Sequence, residues 1–358
     1  MAALKRLLVV NAGSSSLKLR VLDAGDRTLA ERSVEWPAGE AFPADALDGL
    51  PEPDAVAHRV VHGGETLRSA TWIDDEVHDR LAALNELAPL HQPRAIAAIE
   101  AVAHRLPGIP AAACFDTAFH ATLPPAAATY ALPPEWPRRR FGFHGLSHAY
   151  ASRRAAELLG HDGNGLRIVS CHLGAGASLA AVHDGRSVDT TMGFTPMDGL
   201  VMASRPGAVD PGLLVWLLRH GAVSLARLED ALEHRAGLVG LAGAGDMREL
   251  LAREDADARL AVDVYLHRLR AGVAAMAAAM NGLDALVFTG GVGEHQPPVR
   301  AAAVAGLGFL GLRLDEEVNR TADGDTDLTA PGAKASTLLV MSREDQEIAH
   351  QVRTQLAR

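Results

Sequence analysis

The chain has 358 residues, which is long for one hydrophobic core, and its 48% hydrophobic and 22% charged residues are ordinary for a globular protein. Its formal net charge of −10 argues against non-specific nucleic-acid binding, which needs a basic surface. The two cysteines, Cys114 and Cys171, lie in apolar strand-like runs. This predicts buried reduced thiols, and nothing in the cysteine pattern suggests a disulfide framework or a zinc site.

The N-terminal residues predict no targeting segment. Lys5 and Arg6 precede only four apolar residues, too few for a signal peptide, and no apolar run reaches membrane-spanning length. We therefore expect a cytoplasmic protein that does not enter the membrane. The one basic run, 138–140, falls in a predicted loop, where a solvated turn is favoured over a rim that attracts anionic substrates.

A strand, a glycine–serine turn and a second strand open the chain. The apolar run 7–10 leads into Asn-Ala-Gly-Ser-Ser-Ser-Leu-Lys at 11–18, and an alternating run follows at 17–22. Gly13 allows backbone conformations closed to other residues, and the following serine amides and hydroxyls can donate to anionic oxygens. This pattern predicts a phosphate-binding turn.

A second copy of the pattern lies halfway along the chain. The apolar run 168–171 leads into His-Leu-Gly-Ala-Gly-Ala-Ser at 172–178, and the run 179–182 follows. Two such units predict a duplicated α/β domain with phosphates held between the copies.

Strand and helix signals alternate along the rest of the chain, which favours mixed sheets with covering helices. Residues 24–54 are polar and weakly patterned, which predicts a short connection, and the Ala/Pro-rich stretch 121–137 predicts the crossing between domains. The apolar pattern predicts strands at 55–61, 111–115 and 285–289 and a third glycine turn at 290–294. It predicts helices at 73–87, 94–105, from Ser147, at 264–280 and at 343–356.

Four polar clusters, each with an Arg, Asp or His among glycines or aromatics, follow predicted strands or turns, at 58–64, 115–120, 141–148 and 202–207. Side chains at strand ends of α/β folds project into a cleft. Phosphoryl transfer needs cations around the moving group, a carboxylate and backbone donors. A lone Arg or His is more often structural, so it is the combination with three glycine turns that indicates this chemistry.

Nine segments occur in the order found in acetate kinases: VVNAGSSSLK, HRVVHGGE, PLHQP, FDTAFH, FGFHGLSH, CHLGAGAS, GFTPMDGLVMASRPG, VDPG and FTGGVGE. From Leu7 to about Ala349 the chain therefore resembles the acetate/propionate kinase family. The resemblance implies an α/β fold of two duplicated ribonuclease-H-like (actin-like ATPase) domains with a nucleotide cleft between them. The implied domains are 1–120, with the C-terminal helix 345–358 packing back on it, and 121–344.

The resemblance also implies the reaction and its partners. ATP and acetate, or another short-chain carboxylate, would be converted reversibly into ADP and acetyl phosphate, with Mg²⁺ as the metal or Mn²⁺ in its place. Family members are usually homodimers.

Roles carry over from matching motif positions. Arg59 and Arg205 resemble the arginines that hold the carboxylate and the transferring phosphoryl, Asp116 the essential carboxylate, and His144 the histidine that donates to phosphoryl oxygens. Asn11 and Glu344 match the metal-linked residues, with Asp345 as an alternative to Glu344. The substrate pocket implied by the resemblance comprises Arg59, Val61, Leu90, His91, Phe143 and Pro196. The implied nucleotide site comprises Ser14, Ser16, Lys18, His172, Leu173, Gly174, Ala175, Gly176, Asp246, Met247, Arg248, Gly291, Val292, Gly293, Glu294 and His295.

Several positions depart from the family pattern. Ala175 and His295 each replace an asparagine, Leu146 replaces a threonine, the stretch 206–209 is less polar than usual, and the segment between Lys18 and His58 is shorter. These changes bear on nucleotide affinity and acyl preference more than on reaction type. A propionate or butyrate kinase remains an alternative, as does a non-catalytic actin-like nucleotide-binding module, which would not need the Arg/Asp/His/Arg set.

Overall fold

A computed structural model describes residues 4–13, 16–37, 39–89 and 91–356. Its contacts group into two compact units. Unit 1 comprises the chain up to Ala121, residues 144–150 and the C-terminal segment from Arg343, and unit 2 comprises 122–143 and 151–342. The expected bounds, 1–120 with 345–358 and 121–344, stay a prediction; in the observed grouping 144–150 fall in unit 1.

Unit 1 is built on a six-stranded mixed sheet. Its strands are β1 (Leu7–Ala12), β2 (Ser16–Leu22), β3 (Thr28–Glu35), β4 (Ala55–Val60), β5 (Thr71–Trp72) and β6 (Ala111–Phe115). Their order is β3-β2-β1-β4-β6-β5, in which β1, β4 and β6 are parallel and the other pairs are antiparallel. The central strands β1 and β4 are almost continuously buried, as expected where helices cover both faces.

The strand β3 corrects the expectation that 24–54 is only a connection. Its side chains alternate between exposed and half-buried, and none is fully buried. An edge strand of this kind needs few apolar residues, so its sequence carries little of the hydrophobic signal by which strands are recognised.

Helices cover both faces of the unit 1 sheet. They are α1 (Asp75–Ala83), α2 (Gln92–Arg105), the first turns of a helix at Gly145–Leu158, and a C-terminal helix at Glu344–Leu356. Ile348, Ala349 and Val352 of the C-terminal helix pack on one face of the sheet, and Ala98 and Val102 of α2 pack in a separate core cluster with Leu8 and Val56. Short 3₁₀ helices occur at Ala44–Leu47, Asn85–Leu87 and Ala118–Thr122.

Unit 2 repeats the same sheet. Its strands are β7 (Arg167–Leu173), β8 (Ala177–His183), β9 (Arg186–Thr190), β10 (Ala285–Thr289), β11 (Thr326–Asp327) and β12 (Ser336–Leu339). In the order β9-β8-β7-β10-β12-β11 their directions match those of unit 1 strand for strand. The predicted strand-turn-strand repeat is confirmed, since β1 pairs with β2 and β7 with β8 in the same antiparallel arrangement.

The helices numbered α3–α13 complete the chain. They are α3 (Pro125–Ala128), α4 (Gly145–Leu158), α5 (Pro211–Arg219), α6 (Leu225–Asp230), α7 (Gly237–Ala242), α8 (Met247–Ala252), α9 (Ala256–Ala279), α10 (Gly290–His295), α11 (Pro297–Ala305), α12 (Glu316–Thr321) and α13 (Glu344–Leu356). A π-helical turn spans Ala231–Arg235 and a 3₁₀ turn Gly308–Leu310. Among the described residues, no helix is long and apolar enough to cross a membrane.

Three expectations change in unit 2. Gly290–Glu294 is the helix α10 and not a turn, because Gly290 at φ 78° turns the chain out of β10 and the Glu294 Oε1 atom accepts from the Gly290 amide at 2.9 Å. Helix α9 begins at Ala256 because the Asp255 side chain caps it. Arg140 is not in a solvated turn, since its Nη1 atom donates to the Thr191 carbonyl at 3.1 Å.

The cysteines behave as predicted. Both are unoxidised and buried. Burial raises the thiol pKa of each well above its usual range, so neither is poised as a nucleophile.

Candidate active site

The polar side chains of unit 1 converge at one edge of its sheet. The strands β1, β4 and β6 are parallel, so their carboxyl ends lie at the same edge. Asn11 and Arg59 lie near the ends of β1 and β4, and Asp116 directly follows β6. Glu344 opens helix α13 beside them, at 3.8 Å from Arg59.

Arg59 and Asp116 form a two-bond ion pair. The Arg59 Nε atom donates to Asp116 Oδ1 at 3.0 Å and its Nη2 atom donates to Oδ2 at 2.6 Å. The Asp116 side chain is 2% exposed and that of Arg59 18%. Burial alone would lower the pKa of Arg59, but the charges of Asp116 and Glu344 raise it above its usual range. The guanidinium is therefore a permanent, oriented cation.

Asn11 and Glu344 extend this ion pair into a network. The Arg59 Nη1 atom donates to Asn11 Oδ1 at 3.2 Å, and Asn11 Nδ2 donates to Glu344 Oε2 at 3.5 Å. The alternative residue, Asp345, instead accepts from Arg20 at 2.7 Å. Of the two acidic residues, it is Glu344 that lies beside Asn11.

His144 is held next to Asp116 by the backbone. The Gly145 amide donates to the Asp116 carbonyl at 2.8 Å, and a Cβ atom at position 145 would lie 2.2 Å from that oxygen. His144 itself has φ 56°, in the left-handed backbone region that residues other than glycine rarely adopt. Such strain persists only where the surrounding structure enforces it, and it is common at functional sites.

The remaining predicted residues of unit 1 are less closely grouped. Ser16 opens β2, and Lys18 is exposed and pairs in register with Asn11. Val61 is buried directly after β4, and the half-buried His91 precedes α2. Ser14 and Leu90 lie outside the described residues.

Unit 2 contains a cavity of about 560 Å³, a size suited to a small-molecule ligand. Eight of the predicted nucleotide-binding residues line it: Gly174, Ala175, Asp246, Met247, Arg248, Gly291, Val292 and His295. Ala203, Gly245 and Gln296 also line it and were not predicted, although each lies within or beside a predicted motif. His172, Leu173, Gly176, Gly293 and Glu294 lie outside this lining.

The glycine turn between β7 and β8 forms one wall of the cavity. The Gly174 amide donates to the Gly176 carbonyl at 2.9 Å, which closes the turn. The Ala203 amide donates to the Ala175 carbonyl at 3.0 Å and ties the turn to the segment that leads to Arg205. Across the cavity, Asp246 caps α8 and pairs with Arg248 at 2.8 Å, which lowers the pKa of Asp246 to about 2.

Arg205 differs from Arg59 in its partners. Its Nη1 atom donates to the Pro196 carbonyl at 2.8 Å, and it forms no ion pair within the described part of the chain. Burial lowers the pKa of Arg205, and the charge of Glu233 only partly offsets this. A half-buried cation without a carboxylate partner is electrostatically suited to bind an anion. Pro196 is half-buried and Phe143, also in unit 2, is fully buried.

These features can be compared with known proteins. The model of the acetokinase family matches residues 43–350. The acetate kinase of Trichormus variabilis is 48% identical over 397 residues, covering 97% of this chain and 98% of that protein. The chain belongs to the acetokinase family. The resemblance seen in the sequence is thereby confirmed.

Solved structures of the family agree with the fold. The crystal structure of the Porphyromonas gingivalis acetate kinase matches with a TM-score of 0.89 at 34% identity, covering 98% of this chain and 100% of that one. A propionate kinase from Francisella tularensis matches with a TM-score of 0.87 at 32% identity, covering 97% and 98%. The expected two-sheet α/β fold of the family is confirmed.

One residue that holds α10 at the edge of this cavity lies outside all the sequence motifs. Arg300 is fully buried and donates to the Gly293 and Glu294 carbonyls at 2.8 Å and to Asn319 Oδ1 at 2.7 Å. Burial lowers the pKa of Arg300 to about 10. Arg300 therefore fixes the end of α10, and Gly293 and Glu294 act as its anchors.

Replacing Gly145 with alanine tests the backbone link between His144 and Asp116. The new methyl group would collide with the Asp116 carbonyl, so we expect a loss of on the order of 1–3 kcal/mol in unfolding free energy. Urea denaturation measures this loss. Gly308→Ala is the control, because a Cβ atom there meets nothing within 4 Å. Equal unfolding free energies of the two variants would show that the close approach of Gly145 to the Asp116 carbonyl does not affect stability.

Proposed function

We propose that this chain transfers a phosphoryl group reversibly between ATP and acetate, giving ADP and acetyl phosphate, with propionate as the second acceptor. The observation that supports this best is the Arg59–Asp116–Asn11–Glu344 network at the strand ends of unit 1. Membership of the acetokinase family supports the same reaction, and the similarity to a propionate kinase supports the second acceptor.

The chemistry needs no general base. Acetate is ionised at neutral pH, so its oxygen attacks the γ-phosphorus while the bond to the β-γ bridging oxygen breaks and ADP leaves with the electron pair. The transition state spreads negative charge over the phosphoryl oxygens. We assign Arg59 to the carboxylate of acetate. We assign Arg205, which forms no ion pair with any described residue, to the transferring phosphoryl group. His144 donates to a phosphoryl oxygen, and Val61, Phe143 and Pro196 contact the acetate methyl group.

The metal site fits the same reaction. Asn11 and Glu344 are neighbours, since Asn11 Nδ2 donates to Glu344 Oε2. Their amide and carboxylate groups carry the hard oxygen ligands that Mg²⁺ prefers, and Mn²⁺ takes similar donors. No group of three or more His, Cys, Asp or Glu residues forms a metal site among the described residues. Mg²⁺ does not need such a group, because proteins commonly bind it through one or two side chains together with the substrate phosphates. The ion would supply neutralisation of phosphate charge.

The unit 2 cavity is assigned to the nucleotide. Backbone groups of the turn 174–176 would contact phosphates, and Asp246, Arg248 and His295 would contact the nucleoside. Since ATP is the substrate, we place the enzyme in the cytoplasm.

An assay of the purified chain tests the proposal. Trapping of the acyl phosphate as a hydroxamate with Mg²⁺ and ATP should show activity with acetate, propionate and butyrate in decreasing order of kcat/KM. One methylene changes binding by only about 1–3 kcal/mol, so propionate should be used measurably. Absence of acyl phosphate with all three acids would refute the function.

The two arginines should be separately indispensable. Arg59→Ala and Arg205→Ala should each lower turnover at least about a hundredfold, roughly 2.7 kcal/mol of transition-state stabilisation. Arg105→Ala, which removes an exposed pair with Asp48, is the matched control and should retain turnover. Near-normal turnover in either active-site variant would contradict the role assigned to the arginine that was replaced.

We also propose that the protein is a homodimer. Helix α5 is rich in apolar residues, yet none of them is buried: Leu213, Val215, Trp216 and Leu218 are each at least 40% exposed. Large exposed apolar patches mark interaction surfaces, and a second copy is the partner that the family resemblance supports.

The helix α5 surface can be tested by the double variant Leu213→Glu/Trp216→Glu. Sedimentation equilibrium should show a dimer for the unchanged chain and a monomer for this variant, because two charges would be buried in the interface. Leu29→Glu, at an equally exposed leucine of β3, should stay dimeric. A dimeric double variant would place the interface elsewhere.

A further inference from the structure

One polar side chain in the lining of the unit 2 cavity has both of its hydrogen-bonding groups free. Of the eleven lining residues, Asp246, Arg248, His295 and Gln296 have polar or charged side chains. Asp246 and Arg248 pair with each other at 2.8 Å, and the His295 Nε2 atom lies 3.9 Å from Glu294 Oε2. The half-buried Gln296 forms no side-chain hydrogen bond with any residue that the structure describes.

The backbone of Gln296 is fixed at the junction of α10 and α11. Its amide donates to the Val292 carbonyl at 3.0 Å, and its carbonyl accepts from the Val299 amide at 3.0 Å and from the Arg300 amide at 3.3 Å. The Arg300 guanidinium holds the two carbonyls at 293 and 294 from below. Gln296 precedes α11 without capping it through its side chain. The carboxamide is therefore carried on a rigid frame and is available to a ligand.

The other walls of the cavity suit a flat ring system. Ala175, Ala203, Met247 and Val292 contribute apolar side chains, and three glycines leave the remaining wall open. Ligand sites of this kind fix the orientation of an apolar body through a few polar groups. A nucleotide base has such an apolar face and a polar edge.

The carboxamide of Gln296 distinguishes between purine bases. It presents one acceptor and one donor side by side. In adenine the amino group lies between the acceptors N1 and N7, so either edge offers a donor beside an acceptor and can form two bonds with a carboxamide. In guanine O6 and N7 are both acceptors, and a carboxamide forms only one bond at that edge.

The cavity lacks a free group that would favour guanine. An arginine can donate to O6 and N7 of guanine together. The lining arginine, Arg248, is instead engaged by Asp246 through both Nε, at 3.3 Å, and Nη2, at 2.8 Å. The polar groups of the lining therefore match adenine better than guanine.

We propose that Gln296 is a specificity-determining residue that makes this cavity bind adenine nucleotides in preference to guanine nucleotides. The proposal rests on the proposed function, which assigns the cavity to the nucleotide and the neighbouring His295 to the nucleoside.

Isothermal titration calorimetry of the full chain with ADP and with GDP, in Mg²⁺ and without acetate, tests the proposal. The two diphosphates differ only in the base, so the ratio of their Kd values reports base recognition. ADP should bind at least about tenfold more tightly than GDP, since one matched pair of hydrogen bonds discriminates by this order. Gln296→Leu, which keeps the size and removes both polar groups, should bring the ratio close to one by weakening ADP binding.

The variant Gln296→Glu should move the ratio further towards GDP. A carboxylate accepts from the N1–H and amino groups of guanine, whereas it faces an acceptor at N1 or N7 of adenine. Gln346→Leu is the matched control, at a half-buried glutamine of α13 in unit 1, and should leave the ratio unchanged. If Gln296→Glu binds neither diphosphate, Gln296→Leu still decides.

The outcomes separate this proposal from the proposed reaction. Equal Kd values for ADP and GDP in the unchanged chain, or an unchanged ratio in Gln296→Leu, would overturn the role of Gln296 and leave the reaction in place. Binding of neither diphosphate by the unchanged chain would overturn both the role and the nucleotide assignment. Discrimination by a chain that forms no acyl phosphate would refute the reaction while the role of Gln296 stands.

Discussion

The buried ion pair between Arg59 and Asp116 is the interaction on which the unit 1 site depends. Removing two charges from water is costly, and a buried pair often contributes little net stability. Here two hydrogen bonds to Asp116 fix the orientation of the Arg59 guanidinium, and its third nitrogen, Nη1, donates to Asn11. Asn11 in turn donates to Glu344. The structure thus holds a preorganised charge at the strand ends, which is what charge-neutralising catalysis requires.

The duplication of the sheet explains why each unit has its functional groups at the same kind of position. Parallel central strands place their carboxyl ends together, and each unit opens with a strand, a glycine turn and a strand. The two units differ in electrostatics. In unit 1 the arginine is matched by carboxylates, whereas Arg205 in unit 2 forms no ion pair among the described residues. We propose that this contrast distinguishes Arg59, which its carboxylate partners hold in place, from Arg205, which is available to bind the transferring phosphoryl group.

Local signals predicted much of this from sequence. The bounds of β6 and β10 follow from short apolar runs, and Asp116 stands out because it ends one of them. Features that depend on tertiary context were missed. The strand β3 is an edge with no fully buried residue, α10 is a helix in which three of the six residues are glycine, and Arg300 lies outside the motifs although it donates to the Gly293 and Glu294 carbonyls. No local pattern encodes such contacts, because they arise only when separate segments pack.

The turnover of Asp116→Asn tests the central claim most directly, because this change removes the charge that orients Arg59 and keeps nearly the same shape. Turnover should fall at least about a hundredfold. The Kd for ADP, measured on the same preparation, should stay close to that of the unchanged chain, since the assigned nucleotide cavity lies within unit 2. Turnover close to that of the unchanged chain would contradict the claim that the oriented Arg59 cation is the centre of catalysis.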